Sequence, residues 1–107
     1  ENAKRFNMSF VPIPSLTVDA KEEITCILNK SYNVQNVILV GDITGGIIIV
    51  AIPGGDIVGN IVAHNGAVNT VQNMKESLFV SGGQDNNMKI WDLEKVECLY
   101  SISFKSS

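Results

Sequence analysis

The chain has 107 residues, 45% hydrophobic and 18% charged, which is enough apolar side chain for a buried core and too apolar a composition for a disordered tail. Eight Lys and Arg against eleven Asp and Glu leave a net charge of −3, and only Lys4 and Arg5 are adjacent, so a nucleic-acid surface is not expected. The longest apolar run, GIIIVAIP at 46–53, is far short of the roughly 18 residues of a spanning helix, and the N-terminus has no signal-peptide features. The expectation is an intracellular, cytoplasmic chain without direct membrane insertion.

Residues 1–22 carry Phe6, Met8 and Phe10 in alternation, followed by Pro12 and Pro14. Proline cannot donate into a central ladder, so this stretch is expected to be an edge strand running into a linker. From residue 23 onward short apolar or alternating runs predict strands near 23–29, 36–41, 46–52, 56–63, 67–73, 77–82, 88–92 and 97–103. The breaks fall at Gly45-Gly46, Pro53-Gly54-Gly55, Asn65-Gly66 and between Gly82 and Asn87, with Lys75-Glu76 at a hairpin tip. No stretch has a convincing helical period. Cys26 and Cys98, set among apolar strand residues, are expected to act as small buried hydrophobes.

The eight strands form two groups of four that repeat. VILVGDITGGIIIVAI (37–52) registers with LFVSGGQDNNMKIWDL (78–93) at an offset of about 41 residues. ITCI (24–27) matches VNTV (68–71) at a slightly larger offset, the extra residues being supplied by SYNVQ in the first hairpin. A four-stranded unit of roughly 40–45 residues has the period of a propeller blade. IIIVAI (47–52) is apolar at every position, as a strand covered on both faces requires. The reading is an all-β chain of two four-stranded antiparallel sheets, β-propeller blades and part of a larger propeller. It divides into a lead-in at 1–22, a degenerate blade at 23–63 and a second blade at 64–107.

The second repeat, AHNGAVNTVQNMKESLFVSGGQDNNMKIWDL, ends in Trp91-Asp92 and resembles the WD-repeat family. That family has a His before the first strand, a Ser on the second, an Asp in the following turn and a Trp on the third. Here these are His64, Ser81, Asp85 and Trp91; Ala63 stands where a Gly is usual. In the first repeat the corresponding residues are Ala20, Val40, Thr44 and Val50, so the polar set is missing. The resemblance implies a structural hydrogen-bond network. Asp85 can accept from His64, the other imidazole nitrogen can meet Ser81, and Ser81 can accept from the Trp91 indole.

His64, Ser81 and Asp85 at this spacing are therefore expected to be structural and not a catalytic triad, since no G-x-S-x-G elbow surrounds Ser81. His64, Cys26 and Cys98 lack paired-ligand spacing, and the glycine strings at 41–46 and 54–60 lack the Lys-Ser or Lys-Thr of a phosphate loop. No metal, cofactor or enzymatic activity is expected. By resemblance, partner proteins would meet residues flanking the first strand and preceding the turn Asp. These are Lys21, Glu23 and Ile43 in the first repeat and Asn65, Ala67 and Gln84 in the second.

Two blades fall short of the four to eight of a closed propeller. The remaining blades are expected from the same parent chain, as the start at Glu1 suggests, or from another chain. With them missing, part of the GIIIVAI surface is expected to be bare. The expected role is a protein–protein interaction scaffold; the alternative is an accessory propeller in a membrane-trafficking protein of the BEACH-domain type or in an enzyme-regulatory protein.

Overall fold

Branched Ile and Val side chains punctuated by turn residues give strands and nothing else. The computed structural model describes residue 15, residues 17–32 and residues 35–105, and these contain no helix. The strands are β1 (Ile24–Tyr32), β2 (Gln35–Asp42), β3 (Gly46–Ile52), β4 (Ile57–Val62), β5 (Val68–Asn73), β6 (Leu78–Gly83), β7 (Asn87–Asp92) and β8 (Glu97–Ser103). They form two antiparallel sheets in chain order, β1-β2-β3-β4 and β5-β6-β7-β8. The chain is all-β, and each sheet is a meander of the form of a propeller blade.

The internal repeat holds at the level of register. Leu39, Ile49 and Gly59 lie side by side across β2, β3 and β4, and 41 residues later Val80, Ile90 and Tyr100 lie side by side across β6, β7 and β8. The irregularity between Ile49 and Val50 recurs between Ile90 and Trp91, and that between Ile24 and Cys26 recurs between Val68 and Thr70. Cys26 pairs with Gly41 and Thr70 with Gly82, so the first hairpin is the longer one. Asn33 and Val34, in the stretch expected to lengthen it, lie outside the described residues.

The core sits between the sheets. Leu39, Ile47 and Ile49 of the first sheet pack with Val68, Val71, Phe79 and Trp91 of the second. Phe79 and Trp91 stack with ring centroids 6.3 Å apart. β3 is buried on both faces because its alternate residues Ile48 and Val50 join Val40 in a second cluster on the far side. Val18 and Ala20 pack on that cluster. The expectation of a partly bare GIIIVAI surface is corrected for Ile47 to Val50, which are all buried, whereas Gly46, Ala51 and Ile52 are half-buried.

One further expectation lies mostly outside the described residues, and another changes. The edge strand expected in 1–22 falls mostly on residues 1–14, outside the described residues, and the described remainder forms no strand. Cys98 is exposed and not a buried hydrophobe, because β8 is an outer strand with every residue exposed; Cys26 is half-buried.

Candidate functional site

The linker between the sheets places His64. The Gly45 carbonyl, in the β2–β3 turn, accepts from both Ala63 N–H at 2.9 Å and His64 N–H at 3.0 Å. Gly45 has φ of 101°, and a Cβ there would fall 1.9 Å from the His64 carbonyl oxygen, so only glycine fits. The first sheet's turn thus anchors the segment that enters the second sheet.

From that anchor the imidazole reaches inward. Its Nδ1 lies 3.0 Å from Asp85 Oδ1, its Nε2 lies 2.7 Å from Ser81 Oγ, and the Trp91 indole N–H donates to Ser81 Oγ at 2.9 Å. Each group has its partner if His64 Nδ1–H donates to Asp85 and Nε2 accepts from the Ser81 hydroxyl, which leaves the serine oxygen free to accept from Trp91. Ser81 is 0% exposed, so this satisfaction is required. Asp85 also accepts from the N–H groups of Asn65 at 3.0 Å and Asn87 at 3.1 Å. Burial pushes its carboxyl up, and the bonds from Asn65, Asn87 and His64 more than offset this, holding it below the usual aspartate range.

Asp42, unremarked in the sequence, performs the turn-capping half of this task in the first repeat. Its Oδ1 accepts from Thr44 N–H at 2.9 Å, Thr44 Oγ1 at 2.7 Å and Gly46 N–H at 3.0 Å. Burial raises its carboxyl and these bonds lower it further, so its net shift is also downward. Gly46 is the repeat equivalent of Asn87. The same N–H is therefore capped in both repeats, by a different aspartate. The other half of the network is replaced by apolar packing: Ala20, Val40 and Val50, equivalent to His64, Ser81 and Trp91, belong to one hydrophobic cluster. The Asp-Ile-Thr string was the available signal, since an Asp two residues before a Thr is a common turn cap.

The expected partner-contact residues fall into two backbone-bonded pairs and two flanking positions. Ile43 N–H donates to the Glu23 carbonyl at 2.9 Å, and Gln84 N–H donates to the Ala67 carbonyl at 2.9 Å. Ile43 is 45% exposed, while Glu23, Asn65 and Gln84 are also open to solvent. Ala67 is half-buried, and its N–H is taken by Gln84 Oε1 at 3.3 Å. Lys21 lines a separate cleft of roughly 500 Å³ with Asp19, Glu22 and Asp42. A second cleft of roughly 460 Å³ runs past Thr44, His64, Asn65 and Asp85. Among the described residues no three His, Cys, Asp or Glu side chains gather as a metal site.

No family model matches the chain. Among solved structures it is similar to the crystal structure of the computationally designed Ika4 protein, with a TM-score of 0.69 and 22% identity over 80% of this chain and 51% of that one. At that identity the likeness shows the fold alone. The chain spans about half the length of that designed protein.

Proposed function

We propose that this chain is a protein-interaction scaffold of the WD-repeat type, its two sheets serving as neighbouring blades of a propeller and its β2–β3 and β6–β7 turn edge gripping a protein partner. In this reading the chain needs no cofactor and carries no chemistry of its own. The observation that supports it most directly is the rigid hold on that edge. Asp42 and Asp85 each cap a turn, and the Gly45 carbonyl ties one turn to the linker beside the other. Fixed backbone presents exposed Ile43 bonded to Glu23, and exposed Asn65 and Gln84 on the linker and the turn that follow, an apolar contact with polar ones as in an interface centre and its rim. The spacing of His64, Ser81, Asp85 and Trp91 supports the family reading independently.

The test is partner capture from the parent cell's extract by photo-crosslinkers at Ile43 and Gln84, compared with a crosslinker at Val58 on the outer strand β4. One defined protein adduct is expected from the first two positions only. Ile43→Asp is expected to weaken that partner at least about tenfold with no change in melting temperature. Equal capture from Val58 would overturn the assignment of the edge.

A further inference from the structure

We infer that the face of the second sheet that no described residue covers is a docking surface for a second copy of this chain, joined head to tail. The inference deepens the propeller reading and rests on it.

The repeat supplies the argument. On the first sheet the rows Leu39–Ile49–Gly59 and Gly41–Ile47–Ile61 form the face that the second sheet covers. Their equivalents on the second sheet are Val80–Ile90–Tyr100 and Gly82–Met88–Ile102. The composition of these rows is kept: Leu39 becomes Val80, Ile49 becomes Ile90, Ile47 becomes Met88 and Ile61 becomes Ile102. Their burial is not. Leu39, Ile47, Ile49 and Ile61 are at most 6% exposed, whereas Val80, Met88 and Ile90 are half-buried and Ile102 is 40% exposed, with Tyr100 beside Ile90 at 65%. Exposed apolar rows of this kind mark a contact surface.

The complementary surface lies on the same chain. In the observed joint the covering face carries Phe79 and Trp91, with Cys98 exposed at its outer end and the His64 segment lying beside it. Its equivalent is Ile38–Val50–Ile57 on the far face of the first sheet, with Ala20 lying where His64 does. Val18 and Ala20 pack over Val50 on one side of that face, while Ile38 is half-buried and Ile57 is 48% exposed on the other. Ile38 and Val50 are smaller than Phe79 and Trp91, and a cleft of roughly 230 Å³ lies along them. A copy placed head to tail repeats the existing interface on a surface that already has its register. Propellers close with about four to eight blades, so closure takes about two to four copies.

The experiment is native mass measurement of the full chain over a concentration series, with far-UV circular dichroism as the folding control. A mass of about two to four times that of the single chain is expected. Tyr100→Asp on one face and Ile57→Asp on the other, both at exposed positions, are each expected to give a folded monomer. Mixing the two variants restores one intact joint, and a heterodimer is expected. A folded wild-type monomer at every concentration would overturn the inference and leave the crosslinking test of the turn edge unaffected. Assembly that survives Ile57→Asp would overturn it too, because it would mean like faces pairing.

Discussion

Gly83 and Asp42 occupy equivalent positions, and the difference between them follows from one side chain. A Cβ on Gly83 would sit 2.4 Å from His64 Cγ, so the histidine demands glycine beside it. The first repeat has Ala20 in place of the histidine, and its position 42 has room for an aspartate that caps the turn. Gly83→Ala is expected to cost about 1–3 kcal/mol in urea unfolding, and much less in a His64→Ala background. A double-mutant cycle that found the two changes additive would contradict this coupling. Asp85→Ala leaves His64 and two turn N–H groups without their acceptor and is expected to cost about 3 kcal/mol. The pH dependence follows from the same bonds. Both Asp42 and Asp85 are lowered in the folded state, so their contribution is complete above the ordinary aspartate value of about 3.9 and fades as pH falls through the lower folded values. Asp85→Asn is expected to flatten the acid limb of stability below about pH 4, measured by urea midpoints across the range.

Strands differ in what holds them. β3 is hydrogen-bonded on both edges and covered on both faces, whereas β8 is bonded on one edge only and exposed along its length. Ile47→Ala removes a fully buried side chain and is expected to cost about 2–5 kcal/mol. Val62→Ala, at 89% exposure on the outer strand, is expected to stay within about 0.5 kcal/mol. Amide exchange is expected to follow the same order, slow in β2 and β3 and fast in β8; equal protection would mean that the two sheets open as one unit.

The two sheets meet through their first strands as well as through the apolar core. Thr25 Oγ1 donates to the Val68 carbonyl, and Lys30 Nζ donates to Asn73 Oδ1 at 2.6 Å and to the Met74 carbonyl at 3.1 Å. Lys30 is 2% exposed, and burial lowers its ammonium below the usual lysine range. Lys30→Ala removes the donor that two acceptors of the other sheet share and is expected to cost about 1–3 kcal/mol. A shallower urea slope alongside the loss would show that the sheets had come apart in their unfolding. At this scale the molecule is one joint between two repeats, with the second sheet's outer row left open at Tyr100 and Ile102 and the first sheet's far face packed by Val18 and Ala20.

The strand order and the repeat were legible in the sequence because each depends on local spacing, and the four residues of the histidine network were reached through the resemblance to the WD-repeat family. Apolar runs broken by Gly, Pro and Asn mark strands whatever packs on them, and the 41-residue offset carries each row of side chains onto its counterpart. What lies on each face was not legible. Lys30 reads as an ordinary strand lysine until β5 is laid beside β1, and Cys98 reads as buried until β8 becomes an outer strand. Asp42 became a cap only once the turn closed around it, and Val18 and Ala20 became a cover only once they folded back on β3. Sequence spacing sets which residues share a strand face, whereas burial depends on which other sheet or segment arrives there, and that is decided by contacts between residues far apart in the chain.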